Sequence, residues 1–209
     1  MPVDIVREAQ NALRSLKAEL RPFVVIRPPF SLSADDASKR RLIIRGDPLE
    51  IELLLLNVMK NAAEAVQGLP DGAVLVKFRR ETLPSPLAEN PSPSPAAPSA
   101  EAVIVEVEDN GPRLSDEAFE RLTRVSQSVK DEGLGLGLGI VRSLVEENGG
   151  RIAITRREDL SGRGLRVTLC FDLDAEGLKA QSAPHTDPAD KSAAQAFQRS
   201  HEPAAKTAK

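Results

Sequence analysis

The sequence has a single cysteine, little net charge and no long apolar run, and each shortage excludes a kind of protein. Cys170 has no partner for a disulfide within the chain, which suits a reducing compartment, and its apolar neighbours predict a small core residue. The formal charge of −3, with both signs mixed along the chain, creates no field that would attract nucleic acid. The apolar stretch from Ile51 to Leu56 is interrupted by Glu52 and falls far short of a membrane span. We therefore expect a cytoplasmic segment that contacts neither nucleic acid nor membrane, although a longer parent protein could carry a membrane anchor.

Two segments are rich in small and polar residues and lack periodicity. Residues 82–100 contain six of the sixteen prolines, and residues 174–209 are rich in Ala, Pro, Lys and Asp. Neither segment can bury enough apolar surface to offset the entropy lost on ordering, so we predict a disordered insertion and a disordered tail. The insertion separates two strand-like runs and therefore belongs at the tip of a hairpin. Residues 1–173 are long enough to form one domain with a buried core.

Apolar periodicity indicates helices and strands that alternate along this domain. The predicted helices cover residues 4–19, 48–66, 115–122 and 138–147, and the predicted strands cover 23–26, 41–45, 73–78, 103–107, 151–155 and 165–171. Asp47 can cap the second helix, where Pro48 takes the first position and Glu50 completes a capping box. This order predicts an α/β (α+β) two-layer sandwich, with a mixed, mostly antiparallel sheet and helices on one face.

The predicted helix 48–66 carries two amides, Asn57 and Asn61, four residues apart and so on one face. The ordinary explanation is that both amides cap or bridge neighbouring backbone. The functional alternative is that Asn61 offers its carbonyl oxygen to Mg²⁺, which prefers oxygen ligands and keeps waters and substrate phosphates in its shell.

A second motif, Asp109-Asn-Gly-Pro112, follows directly after a predicted strand. A carboxylate at a strand end usually belongs to the turn itself. The alternative is that Asp109 accepts a hydrogen bond from the exocyclic amino group of a base inside an apolar slot. Gly111 would then allow the backbone to approach the ring closely.

A third motif, Gly133-Leu-Gly-Leu-Gly-Leu-Gly139, runs into the helix predicted from Leu138. Free backbone amides and the helix dipole at such an N-terminus favour an anion. The glycine spacing does not fit the dinucleotide-binding pattern, and the sequence has no Gly-Lys pair for a P-loop. A purely structural glycine repeat is the alternative to an anion site.

The three motifs, in this order, resemble the N box and the two glycine boxes of the histidine-kinase ATP-binding domain. Gyrase, mismatch-repair ATPases and a heat-shock chaperone share this superfamily, and the resemblance is closest to nitrogen-regulation-type sensor kinases. It covers roughly residues 4–173. The resemblance implies the histidine-kinase-type ATP-binding fold, with an ATP site between the long helix, the sheet and a lid at residues 124–134.

The resemblance also implies roles for individual residues. Asn61 resembles the Mg²⁺ ligand, Asn57 a phosphate-side contact and Asp109 the residue that recognises adenine. Lys130 resembles the basic residue of the lid. The predicted ATP-binding set is Asn57, Asn61, Asp109, Gly111, Lys130, Gly133, Leu134, Gly135, Leu136, Gly137 and Leu138, with Asn57 and Lys130 also predicted as catalytic and ATP and Mg²⁺ as cofactors.

The position four residues before the metal-binding asparagine separates the activities of this superfamily. Its hydrolysing members and serine-directed kinases carry a glutamate there as general base, whereas this chain has Asn57. An amide cannot take a proton from water or a serine hydroxyl, while a neutral histidine already has a lone pair. The resemblance therefore implies a protein-histidine kinase. The alternatives are a degenerate nucleotide-binding regulatory module, and a superfamily ATPase or serine-directed kinase.

The chain departs from the family pattern at several positions. Arg113 replaces the second glycine of the first glycine box, and residues 124–129 lack the aromatic motif of the lid. The only histidines, His185 and His201, lie in the predicted tail and outside any helix with an acidic neighbour. The predicted partner is therefore a histidine-bearing dimerisation domain, either on a missing segment of this protein or on a separate protein, followed by a response regulator.

Overall fold

The computed structural model describes residues 1–27, 41–83, 100–125, 136–160 and 163–177. The helices are α1 (Ile5–Ser15), α2 (Pro48–Val66), α3 (Asp116–Val125) and α4 (Leu136–Glu147), and the strands are β1 (Pro2–Asp4), β2 (Val24–Arg27), β3 (Ile43–Arg45), β4 (Val74–Leu83), β5 (Ala100–Asp109), β6 (Arg151–Arg156) and β7 (Leu165–Asp172). Within these ranges, none of the helices combines the length and the apolarity that a bilayer crossing requires.

Five strands form one sheet in the order β2-β4-β5-β7-β6. β2 lies parallel to β4, and the other three pairings are antiparallel. β1 and β3 form a separate antiparallel pair, joined to the end of β7 by the bridge between Ile44 and Leu173. α2 packs between α1 and α4 and contacts β4 and β5 beneath it. The predicted two-layer sandwich, with a mixed, mostly antiparallel sheet and helices on one face, is confirmed.

Alternation along the strands produces one apolar face, which the helices cover. Phe78, Val105 and Leu169 lie in register across β4, β5 and β7 and are all buried. Because α2 is the central helix, it packs on both flanks as well as on the sheet, and it buries more than one face: Ile51, Leu54, Leu55, Val58, Met59, Ala62, Ala63 and Val66. Each large aliphatic side chain among them contributes roughly 1.5–3 kcal/mol on burial.

The opposite face of the sheet carries charged side chains, and Glu108 lies at their centre. Although it points away from the helices, its side chain is only 2% exposed, because Lys77 and Arg166 cover it. Its carboxylate accepts hydrogen bonds from Lys77 Nζ and Arg166 Nε, both at 2.8 Å. Burial alone would raise the pKa of Glu108, but these two cations hold the pKa below its usual range.

Cys170 also lies on this outer face, and the prediction that it belongs to the core is wrong. Leu169 and Phe171 face the helices and are buried, so strand alternation directs Cys170 to the other side, where it is half-buried beside Ile104. Burial raises the pKa of its thiol. The residues around Cys170 are apolar because β7 lies between β5 and β6, where both faces of the strand are at least partly buried.

Several predicted boundaries move. α1 ends at Ser15 instead of residue 19, α4 begins two residues earlier than predicted, and β1 was not predicted. β4 and β5 pair over ten residues each, so Thr82, Leu83 and Ala100 continue the hairpin ladder. Beyond β7, the amide of Asp174 donates to the Ile43 carbonyl at 2.8 Å. The rest of the predicted insertion and tail, residues 84–99 and 178–209, lies outside the described residues.

Asp47 caps α2 as predicted, but the predicted capping box is wrong. Its side chain accepts hydrogen bonds from the amides of Leu49 and Glu50 at 2.8 and 3.3 Å. Asn148, which follows α4, replaces the reciprocal half of the box. Its Oδ1 accepts from the Asp47 amide at 2.9 Å, and its Nδ2 donates to Glu50 Oε2 at 2.9 Å. This arrangement, the Asn148 latch, joins the end of α4 to the start of α2.

We expect Asn148→Ala to lower the free energy of unfolding by about 1–3 kcal/mol, because the Asp47 amide and the Glu50 carboxylate both lose a partner. Urea denaturation followed by circular dichroism measures this loss. Glu146→Ala is the control on the same helix, since its exposed pair with Arg142 contributes less than about 1 kcal/mol. Equal losses in the two variants would contradict the assigned role of the latch.

Candidate functional site

Asp109 is a buried carboxylate at the end of β5. Val105, Val107 and Asp109 alternate onto the face that α2 covers, and Asp109 is 5% exposed. Its Oδ1 accepts a hydrogen bond from the Gly111 amide at 2.8 Å. Burial raises the pKa of Asp109, and the backbone amides of Gly111 and Leu165 oppose that shift by stabilising the ionised form.

The turn after Asp109 packs directly against the last turns of α2. A Cβ at Gly111 would lie 2.8 Å from Asp109 Oδ1 and 3.3 Å from the Ala65 carbonyl, so only glycine permits this approach. Asn110 fixes the turn from the other side. Its Oδ1 accepts from the Ala73 amide at 2.8 Å, and its Nδ2 donates to the Asp71 carbonyl at 2.6 Å. The side chain of Asn110 is therefore committed to the turn.

The two asparagines of α2 differ in their surroundings. Asn61 is half-buried and lies one helical turn before Ala65, which places it near the Asp109 turn. Asn57 lies one turn further away, and its Nδ2 donates to the Leu53 carbonyl of its own helix at 2.8 Å. The structure thus brings Asn61 and Asp109 to the same end of α2.

α4 directs its N-terminus to this same region. The Asn148 latch places the C-terminal end of α4 at the start of α2, and α4 packs along α2, so the two helices run antiparallel. At about 1.5 Å per residue, α4 reaches back to the turn of α2 that contains Asn57 and Asn61. The first turn of α4 includes Gly137 and Leu138, whose side chain is 8% exposed.

The amides of that first turn lack partners within the helix, as at any helix N-terminus, and carry the positive end of its dipole. Because the helix begins at Leu136, the predicted site residues Leu136, Gly137 and Leu138 all belong to this turn. The other predicted residues of the glycine motif and the lid, Lys130, Gly133, Leu134 and Gly135, lie outside the described residues. Arg113 is exposed between β5 and α3.

The turn between β6 and β7 packs against the backbone of Asp109, a contact that sequence reasoning missed. Arg157 Nη1 donates to the backbone carbonyl of Asp109 at 3.2 Å. Gly164 has a φ of +76°, and a Cβ there would lie 2.1 Å from the same carbonyl oxygen. Two adjacent arginines before a glycine-containing turn were the available signal, but nothing local connects them with a residue some fifty positions earlier.

Arg156, beside Arg157, holds the start of α3. Its Nη1 donates to Asp116 Oδ1 at 2.7 Å, and its Nη2 donates to the carbonyls of Leu114 and Ser115 at 3.2 and 3.0 Å. The guanidinium also lies 4.5 Å from the ring centroid of Phe119. The end of β6 therefore anchors both the backbone of Asp109 and the helix that leads toward the predicted lid.

Comparison with known proteins identifies the family. Residues 46–175 match the profile described as histidine kinase-, DNA gyrase B-, and HSP90-like ATPase. The nitrogen regulation protein NtrY of Azorhizobium caulinodans is 30% identical over 142 residues, which are 66% of this chain and 16% of that protein. The C4-dicarboxylate transport sensor protein DctB of Rhizobium meliloti is 29% identical over 109 residues, which are 52% of this chain and 15% of that protein. The chain thus spans less than a fifth of either relative.

Solved structures share the fold. The mycobacterial sensor histidine kinase MprB superposes with a TM-score of 0.58 at 18% identity, over 83% of this chain and 97% of that one. The catalytic domain of the histidine kinase ThkA superposes with a TM-score of 0.55 at 17% identity, over 83% and 96%. The chain therefore belongs to the histidine kinase-, DNA gyrase B- and HSP90-like ATPase family, as an ATP-binding domain of the kind found in sensor histidine kinases of two-component systems.

Proposed function

We propose that this chain binds Mg²⁺-ATP and donates the γ-phosphoryl group to a histidine. The histidine would lie on a dimerisation domain, either in another segment of the same protein or on a separate protein, and a response regulator would receive the phosphoryl group next. The proposal rests above all on the buried Asp109 carboxylate, which accepts a hydrogen bond from the Gly111 amide beside the C-terminal turns of α2.

The chemistry of Asp109 fits recognition of adenine. A buried carboxylate that accepts from the Gly111 amide and has no cation within hydrogen-bond distance among the described residues is an acceptor suited to the exocyclic amino group of the base. A 6-oxo purine presents an acceptor at the same place and would leave the carboxylate without a donor, at a large cost in affinity. Because Gly111 has no side chain, the backbone beside the carboxylate is open to a close approach by the base.

The phosphate end of the site would use α4 and Asn61. The first-turn amides of α4, which have no partners within the helix, and the helix dipole suit the negative charge of the phosphates. Asn61, on the neighbouring stretch of α2, offers an amide oxygen of the kind that Mg²⁺ accepts. When bound, Mg²⁺ would neutralise charge on the phosphates and on the transferring group.

A histidine acceptor fits Asn57 better than water or a serine does. The Asn57 amide already donates to the Leu53 carbonyl, and an amide cannot remove a proton from a hydroxyl at neutral pH. A neutral imidazole attacks with its own lone pair and needs no such base. The relative DctB is a sensor protein, which agrees with transfer to histidine.

We expect the chain to label the histidine of a cognate hairpin domain supplied in trans with ATP that carries a labelled γ-phosphate. Asn61→Ala should lower the labelling rate by about 100-fold or more, because it removes a ligand of the transition-state metal. Asn11→Ala, which changes an amide on α1 bonded to Glu8, is the matched control and should label normally.

Three results separate the alternatives. Tight Mg²⁺-dependent binding of a fluorescent ATP analogue without label on the histidine would overturn transfer to histidine. Steady phosphate release without any partner would point to an ATPase. Weak binding of the analogue without label on the histidine would support the degenerate regulatory module, and failure to bind at all would overturn every nucleotide-binding alternative.

A further inference from the structure

The backbone around Asp109 departs from a regular sheet at one hydrogen bond. At the other end of the β5–β7 pair, the Leu173 amide donates to the Glu101 carbonyl at 2.9 Å. This bond identifies the positions of β5 whose carbonyls accept hydrogen bonds from β7. Bonding positions recur every second residue, so the Leu165 amide would meet the Asp109 carbonyl in a continued ladder. The pairing of β5 with β7 instead ends at Glu108 and Arg166. The Asp109 carbonyl therefore lies just beyond the end of this ladder.

Arg157 supplies the donor that the ladder no longer provides. Its Nη1 lies 3.2 Å from the Asp109 carbonyl oxygen, and its side chain is only 16% exposed. The guanidinium is fixed by Asp159, to which Nε and Nη2 donate at 3.2 and 2.5 Å. The Arg157 amide also donates to the Gly164 carbonyl at 3.3 Å. A buried carbonyl without a donor costs about 1–3 kcal/mol, so this contact matters to the local structure.

We infer that Arg157 is a positioning residue for base recognition. By donating to the backbone carbonyl of Asp109 where the ladder ends, it fixes the backbone of the residue whose carboxylate accepts from the Gly111 amide. Arg157 contacts the backbone of Asp109 and would act on the nucleotide only through that residue. The inference rests on the proposed function, in which that carboxylate accepts a hydrogen bond from the amino group of adenine.

The test compares ATP with purine riboside triphosphate, which lacks the 6-amino group. We expect Arg157→Ala to weaken ATP about tenfold and the analogue less than about twofold, because only the amino group depends on the carboxylate orientation. Arg157→Lys, which keeps a cationic donor, should restore part of the discrimination between the two ligands. Arg163→Ala removes an exposed arginine paired with Asp71 and should leave both affinities unchanged.

Urea denaturation shows whether each variant is folded. If Arg157→Ala does not fold, Asp159→Ala replaces it, since that exposed carboxylate anchors the guanidinium and its loss should lower the discrimination about threefold. Equal weakening of both ligands, or no change, in a folded variant would overturn the role of Arg157. A wild-type chain that binds neither ligand, or binds both equally, would instead overturn the proposed recognition of adenine by Asp109.

Discussion

Replacing Asp109 with asparagine is expected to weaken ATP binding by a factor of about 100 or more, because the amide offers no charge-assisted acceptor to the base. Its oxygen can keep the hydrogen bond from the Gly111 amide, which leaves its amino group facing the amino group of the base. Stability should stay level or rise. Burial raises the pKa of Asp109, so folding disfavours the ionised form at neutral pH, and a neutral residue removes that cost.

Titration with a fluorescent ATP analogue and urea denaturation of the same samples measure both halves of this expectation. Asp71→Asn is the control, because Asp71 is an exposed carboxylate near the same turn and pairs with Arg163. It should bind ATP normally. Retention of affinity by Asp109→Asn would refute the assigned role, and a joint loss of affinity and fold would reduce Asp109 to a structural residue.

Glu108→Gln is expected to have the opposite profile, with a loss of stability. At neutral pH we expect a decrease of about 1–3 kcal/mol in the free energy of unfolding, since Lys77 and Arg166 each lose a charged partner but remain partly solvated. The pKa of Glu108 is lowered in the folded chain, so its contribution is present above the unfolded pKa and disappears as pH falls through the folded value.

Urea denaturation at a series of pH values from neutral into the acid range tests this expectation. Wild type and Glu108→Gln should converge as the carboxylate becomes protonated. Glu106→Gln is the control on the same strand and face, because its contact with Arg79 is longer, at 3.4 Å, and its side chain is more exposed. A gap between wild type and Glu108→Gln that does not depend on pH would show that the carboxylate charge is not what stabilises the fold.

Much of the fold could be predicted from local features of the sequence. α2 begins at Pro48 and ends at Val66 as predicted, because a proline at the first position, an aspartate cap and a continuous apolar pattern all act within one segment. The strands follow from alternation, and their starting residues on β6 and β7 match the prediction. Asp109 and Asn61 lie at the same end of α2, and their roles in nucleotide binding stay predictions.

The missed contacts at the α2 cap and at Asp109 depend on residues distant in sequence. Asn148 meets Asp47 from 101 positions away, and Arg157 meets Asp109 from 48 positions away. A capping box at Glu50 was the correct local expectation, but a side chain from another helix took its place. No periodicity or spacing rule encodes such contacts, since they appear only after the sheet order has brought the elements together.

The Asn148 latch has a consequence for how the α2–α4 pair can change over evolutionary time. It ties the two helices together at one end, while the proposed phosphate contacts lie at the other end, more than two helical turns away. Substitutions that change the strength of the Asn148 latch can therefore change the thermal stability of the domain without changing the residues proposed to contact the nucleotide.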